Sequence, residues 1–266
     1  MSDKLKIVAD SAIPFLKGVF EPYAEVFYIP GGKITSSDLA EADALIIRTR
    51  TVCDEKLLAG TKVKIIATAT IGTDHVDTGY CDRAGILVSN APGCNAGGVM
   101  QYVLSALYGT ASRKSVSLEG KTVGIIGVGN VGRRIEQAAR YLGLKVIKND
   151  PPRQKMEGAY EFSSLDTLLA SSDIVTIHTP LDSVTEGMAD RRFFKKMKKG
   201  AFFINAARGG LVVEEDLIDM RQKLGPVIID TWAGEPHINR NLMDVADIAT
   251  PHIAGYSYQG KQNGTA

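Results

Sequence analysis

The sequence predicts an α/β protein made of two parallel-sheet domains, and three observations carry that expectation. Short, wholly apolar runs rich in Val and Ile alternate with amphipathic stretches along the whole chain. Strands covered by helices on both faces read this way, because no side of a parallel sheet meets water. A glycine-rich turn, Gly127-x-Gly129-x-x-Gly132, joins one such run to a helical pattern. Finally, Asn90-Ala-Pro-Gly-Cys-Asn-Ala-Gly-Gly98 has the Pro and Gly content of a crossing between domains.

In order, strands are expected at Ile7–Ala9, Val26–Tyr28, Ala44–Ile47, Val63–Ala67 and Ile86–Val88. Helices are expected between them at Ser37–Ala42, Asp54–Leu58 and Val76–Ala84, the last closed by Gly85. Residues 1–93 are therefore read as a flavodoxin-like βα domain that holds substrate. A helix over Val99–Thr110 follows, apolar over much of its surface, as a helix wedged between domains would be. Residues 94–255 form the second domain, which opens with the strand Val123–Ile126. Further strands are expected at Lys145–Lys148, Ile174–His178, Ala201–Asn205, Val227–Asp230 and Ile248–Ala249. Helices are expected at Leu165–Ala170, Arg192–Met197 and Glu214–Lys223, with Ser163-Ser164-Leu165-Asp166 resembling an N-terminal cap. Six parallel strands around the glycine turn make a doubly wound, Rossmann-type sheet.

The turn carries chemistry of its own. Gly127 permits the sharp bend, Gly129 lets backbone approach a pyrophosphate, and Gly132 lets helix and strand pack closely. The helix N-terminus then offers unbonded N–H groups and a positive dipole end to phosphate. Asp150, 18 residues after Gly132, ends the next strand, where a carboxylate accepts the adenosine ribose hydroxyls. The cofactor expected is NAD, since Asp150 would repel the extra phosphate of NADP. Arg153 could soften that repulsion, but Pro151-Pro152 is expected to turn it away.

Composition narrows the remaining classes. A net charge of +1 and no polybasic run beyond the helical cluster from Arg191 to Lys199 leave nucleic acid without support. The three cysteines, Cys53, Cys81 and Cys94, are scattered without C-x-x-C spacing, so neither a disulfide framework nor a metal site is expected. No signal-type core or membrane-length run appears, and a soluble cytoplasmic protein is expected.

Ligands of open α/β sheets lie beyond the carboxyl ends of the strands. Three successive strand ends in the second domain deliver Arg208, Glu235 and His252. That set suits hydride transfer at a hydroxyl-bearing carbon: His as base, Glu to fix its tautomer, Arg to fork onto a carboxylate. Of the four histidines, His75 lies in the first domain, His178 lacks an evident carboxylate partner, and His237 sits in an exposed-looking loop. His252 is the candidate base.

Gly127–Gly132, Asp150, Asn205–Gly209, Asp230–Pro236 and Thr250–Gly255 together resemble, in order, the motifs of the D-isomer-specific 2-hydroxyacid dehydrogenases. Arg48-Thr49, the Thr68–His75 run, Ala91–Ala96, Asp150-Pro-Pro-Arg153 and Thr250–Ser257 narrow the likeness to a branch acting on a phosphorylated 2-hydroxy acid. The resemblance implies catalytic roles for Arg208, Glu235 and His252, with His252 the proton donor or acceptor. It implies NAD contacts from Asp150, Thr179, Asp230 and Gly255, and substrate contacts from Thr49, Thr70 and Tyr256. Arg48, beside Arg50 at a strand end, suits the substrate phosphate. Two further readings share these residues: a dehydrogenase of another 2-hydroxy acid (3-phosphoglycerate, lactate or glyoxylate) and an NAD-sensing corepressor.

Departures from the pattern are visible. Ala233 stands where the family commonly has an acidic residue, leaving Glu235 the only carboxylate there, and the spacing from Arg208 to Glu235 is short. Residues 256–266 read as the start of a segment returning to the first domain, apparently truncated, with a homodimer expected of the full-length protein.

Overall fold

Backbone groups inside a buried apolar run must bond sideways, and in this chain they do so in two separate parallel sheets. The computed structural model describes residues 4–158 and 161–265; Met1–Asp3, Ala159, Tyr160 and Ala266 lie outside the described residues. The chain divides into one unit of Met1–Asn95 with Ser257–Ala266, and a second of Ala96–Tyr256.

In the first unit, β1 (Leu5–Asp10), β2 (Ala24–Ile29), β3 (Ala44–Ile47), β4 (Ile65–Thr68) and β5 (Leu87–Ser89) lie in the order β2-β1-β3-β4-β5. Every pairing is parallel. Leu39, Leu45, Ile47, Leu58 and Ile66 fill one face, and Ile7, Ala9, Leu16 and Ile46 the other. Three short helices cover the sheet: α1 (Ser36–Leu39), α2 (Glu55–Leu58) and α3 (Thr78–Ala84). Asp54 and Asp77 cap α2 and α3 by accepting backbone N–H groups, and Gly85 ends α3 at φ +68°. A last helix, Tyr258–Asn263, belongs to the same unit, with Ser257 as its cap.

The second unit begins with α4 (Ala96–Arg113), whose buried stripe of Val99, Val103, Ala106, Leu107 and Ala111 packs on the six-stranded sheet. Then follow β6 (Thr122–Ile126), α5 (Asn130–Tyr141), β7 (Lys145–Asn149), α6 (Pro151–Glu157), α7 (Leu165–Ser171), β8 (Ile174–Ile177) and α8 (Arg191–Lys196). The unit closes with β9 (Phe202–Asn205), α9 (Glu214–Asp219), β10 (Val227–Ile229), α10 (Arg240–Val245) and β11 (Ile248–Ala249). The order is β11-β10-β9-β8-β6-β7, again parallel throughout. Phe193, Phe194 and Phe203 meet edge to face in the core on one side of the sheet.

Strand β6 has β7 on one side and β8 on the other, so the winding reverses at β6. Crevices of doubly wound sheets open beyond the carboxyl ends at such a reversal. Ser163 donates its N–H to the Lys148 carbonyl, so the chain passes along the outer side of β7 before α7. Among the described residues no helix is long and apolar enough to cross a membrane, and no group of three or more His, Cys, Asp or Glu could hold a metal ion.

Candidate active site

The glycines after β6 have separable jobs. A Cβ on Gly127, at φ +84°, would lie 2.6 Å from the His178 carbonyl group. A Cβ on Gly132 would lie 2.1 Å from the Gly127 oxygen. Both are packing constraints. At Gly129, the first position flanking α5, a Cβ would meet nothing within 4 Å, and no side chain caps the helix. Open space in front of unbonded helical N–H groups fits a pyrophosphate.

Asp150 caps α6 and is tied to the same loop. Its Oδ1 accepts from Arg153 N at 3.1 Å, and its Oδ2 accepts from Val128 N at 2.8 Å. Arg153 is not turned away. Its Nη1 donates to the Val128 carbonyl at 2.7 Å, and its Nε and Nη2 grip Glu157 at 2.9 and 2.5 Å. The reason is local. Pro151 and Pro152 occupy the first turn of a helix, where their fixed φ is favourable and their missing N–H costs nothing. The chain therefore coils, and its third residue swings back over the cap.

Beyond β8, His178 donates its backbone N–H to Ile126, and its Nε2 lies 2.8 Å from Thr176 Oγ1. Its Nδ1 is enclosed and has no hydrogen-bond partner among the described residues. Thr179 follows, its hydroxyl 3.8 Å from Met188 sulfur and its backbone beside Gly127. Burial pushes the His178 imidazole down to about 3. The unfolded chain takes up this proton below pH ~6.5 and the folded chain refuses it until pH ~3, so stability is full above ~6.5 and falls with pH below it. Near pH 5 the loss amounts to about 2 kcal/mol. Urea unfolding at pH 7.5 and 5 should show it, with His178→Gln less sensitive than wild type.

Three strand ends converge in backbone contact. After β9, Asn205 closes the turn by donating to the Arg208 carbonyl and accepting from Ala207 N. Arg208 Nη1 donates to the Ala207 carbonyl at 2.9 Å. Gly209 then touches the loop after β10 so closely that a Cβ would lie 1.9 Å from the Trp232 carbonyl carbon. Trp232, 5% exposed, is the hub. Its backbone N–H donates to Glu235 Oε1 at 2.8 Å, and its indole N–H reaches the Thr250 carbonyl at 2.9 Å, beyond β11.

Asp230 is sealed from solvent. It accepts the Thr250 hydroxyl at 2.5 Å and the N–H groups of Ile253 and Ala254 at 2.8 Å each. Because Thr250 donates there, the Tyr102 phenol donates to Thr250, at 2.6 Å. This network fixes the loop carrying His252 and Gly255. His252 sits in the left-handed region at φ +53°, unusual for a non-glycine residue. Its Nδ1 meets Glu235 Oε2 at 2.8 Å. A carboxylate only accepts, so Nδ1 carries the hydrogen, and in the neutral ring the lone pair lies on Nε2. The side chains remain 45% and 34% exposed, open to a reactant.

In the first unit, Arg48 and Thr49 follow β3, with Arg48 Nη1 donating to the Ala12 carbonyl at 3.1 Å. Thr70, after β4, donates its hydroxyl to Gly72 at 2.8 Å. Its oxygen must then accept from Thr68 at 2.7 Å, and Thr68 in turn accepts from His75 Nε2 at 3.1 Å. Desolvation lowers the His75 pKa and favours the neutral ring, and the chain of bonds places its hydrogen on Nε2. Thr70 is left with one lone pair and no hydrogen to give. Tyr256, exposed, is the last residue of the second unit, and His237 is exposed.

Sequence reasoning overlooked Trp232, Asn205, Tyr102 and Glu157. The sole Trp of the chain, beside a strand end, was an available signal for the first; the others depend on contacts that spacing does not show.

A glycine cradle at a winding reversal, with a Glu-supported imidazole on neighbouring strand ends of the same sheet, defines a nucleotide-linked oxidoreductase. Residues 100–254 match the family described as D-isomer specific 2-hydroxyacid dehydrogenase, NAD binding domain. The chain belongs to the D-isomer-specific 2-hydroxyacid dehydrogenases, and its cofactor is NAD. It is 46% identical over 268 aligned residues to erythronate-4-phosphate dehydrogenase of Bacteroides fragilis, covering 98% of this chain and 77% of that one. Identity to the enzyme of the same name from Shigella flexneri serotype 5b is 45%, covering 98% and 71%. Among solved structures, NAD+-bound 3-phosphoglycerate dehydrogenase of Entamoeba histolytica superposes with a TM-score of 0.83 at 27% identity, covering 98% and 92%.

Proposed function

We propose that this protein oxidises 4-phospho-D-erythronate to 2-oxo-3-hydroxy-4-phosphobutanoate with NAD, in the route to pyridoxal 5'-phosphate. The observation that carries the reading is the 44–46% identity, across 98% of the chain, to enzymes named erythronate-4-phosphate dehydrogenase. The hydrogen-bonded Glu235–His252 pair supports the chemistry.

The mechanism follows from the residues. Bound NAD supplies the acceptor for the hydride leaving the substrate C2. His252 Nε2 takes the hydroxyl proton as the C–O bond gains double-bond character, and the Glu235 carboxylate favours the imidazolium that results. Arg208 forks onto the substrate carboxylate and steadies the developing carbonyl. Asp150, Thr179 and Gly255 contact NAD, while Asp230 holds the loop that presents Gly255 and His252.

The first unit serves as the substrate domain and the second as the NAD domain. There Arg48 meets the phosphate, while Thr49 and Tyr256 add contacts to substrate. Thr70, having one lone pair and no hydrogen to offer, accepts from a substrate hydroxyl and not from its carboxylate or phosphate. The protein acts as a cytoplasmic homodimer.

Absorbance at 340 nm with a panel of acids tests the assignment. Turnover of 4-phosphoerythronate should exceed that of 3-phosphoglycerate or D-lactate by roughly 10²-fold in kcat/KM. A higher efficiency with either competitor, or with glyoxylate in the reducing direction, would overturn it.

A further inference from the structure

We propose that Glu157 is a second determinant of NAD over NADP, acting as a positioning residue through Arg153. The inference rests on NAD binding at the Gly127–Gly132 turn.

The Val128 peptide of that turn is held from both sides, its N–H by Asp150 at 2.8 Å and its carbonyl by Arg153 at 2.7 Å. Asp150 already receives two backbone N–H groups and still has lone pairs for ribose hydroxyls. Its charge alone would not exclude a 2'-phosphate if a guanidinium stood beside it unengaged, because Arg at this end of the second strand is the usual partner of that phosphate. Arg153 is in that place, one helical turn from Asp150, with its own N–H bonded to the carboxylate.

What removes it from the role is Glu157. One turn further along α6, its two oxygens take Nε and Nη2 of Arg153 in a bidentate fork, and the third arm, Nη1, is used on Val128. The Phe162 ring lies against the guanidinium, its centroid 5.5 Å from Arg153 Cζ. Arg133, on α5, also has Nη2 3.8 Å from the Glu157 carboxylate. The hydrogen bond from Arg153 leads the causes that keep the Glu157 carboxyl below its ordinary range, so it stays ionised. A 2'-phosphate, bringing a charge of roughly −1.5 to −2, would have to break a bidentate pair and then sit beside the carboxylate it displaced. Of the cations beside Glu157, Arg153 is the one it grips with both oxygens.

The experiment compares wild type, E157Q, E157D, D150S, D150S/E157Q and E157Q/R153Q. Calorimetric Kd values for ADP-ribose and ADP-ribose 2'-phosphate are measured alongside kcat/KM for both cofactors. Helix α6 buries no residue, so changes at Arg153 and Glu157 remove no core packing, and melting temperatures of the Asp150 variants are measured as a control. E157Q should tighten ADP-ribose 2'-phosphate by about tenfold with ADP-ribose nearly unaffected, and shift the cofactor ratio to match. E157D should restore most of the preference for NAD, and D150S/E157Q should gain more than the two single changes combined. In E157Q/R153Q the gain should vanish. An unchanged ligand ratio in both E157Q and D150S/E157Q would overturn the proposal, as would a gain that survives loss of Arg153. Wild type failing to bind ADP-ribose would instead refute the nucleotide site itself, and loss of both ligands in E157Q alone would show that Glu157 builds the cradle and does not select.

Discussion

Replacing His252 with Ala is expected to lower kcat by roughly 10³-fold while NAD binding, followed by calorimetry, stays within a few-fold of wild type. The expectation follows from where the protons are. Nδ1 of His252 is engaged by Glu235, which leaves Nε2 as the basic atom. No other histidine can substitute: His75 is tied to Thr68, His178 to Thr176, and His237 lies exposed beyond the cis Glu235-Pro236 bond. The left-handed backbone of His252 offers a control, since Asn adopts φ near +50° more readily than Ala. His252→Asn should therefore keep the loop and still lose the rate. Activity within tenfold of wild type in both variants would refute the role of His252 as base.

Gly209→Ala is expected to be the costliest single methyl in the second unit, destabilising it by about 3 kcal/mol. Its Cβ would meet the Trp232 carbonyl carbon at 1.9 Å, the oxygen at 2.1 Å and Ala233 N at 2.2 Å. All three are backbone atoms that cannot rotate aside. Relief would require the loop after β9 to part from the loop after β10, separating Arg208 from the segment that carries Glu235. Calorimetric melting and kcat should fall together, and a variant with wild-type stability would show that the loops are not so tightly joined.

Much of this was legible because parallel strands announce themselves. Ala44–Ile47 and Ile248–Ala249 are expected and observed with the same ends, and the other strands differ by one or two residues at an end. Glu235 and His252, singled out because a strand end is where a doubly wound sheet places chemistry, are found hydrogen-bonded to each other beyond neighbouring strands. Helix α6 was missed for a physical reason. Pro-Pro was weighed as an interruption, yet after an Asp cap it is a helix start. Helix α9 runs only from Glu214 to Asp219, with turns and not helix carrying the chain on to Lys223. The chain also concealed how its strand ends are joined. Nothing in the spacing of Asp230 says that its carboxylate ends under Ile253 and Ala254, or that a lone Trp donates to two motifs at once.

The placement of β11 has a mechanical consequence. It is a two-residue strand on the margin of the six-stranded sheet, joined to β10 by two residue pairs, Ile228 with Ile248 and Ile229 with Ala249. Glu235 hangs from β10 and His252 from β11, so the pair proposed to move the proton straddles the shortest seam of the sheet. The glycine cradle hangs from β6, flanked on both sides by longer partners. Sheets fray from thin margins first. The proposed proton-transfer pair thus hangs from the two-residue margin of the sheet, and the buried Asp230 carboxylate, bonded to Thr250, Ile253 and Ala254, is the rivet that keeps that border closed.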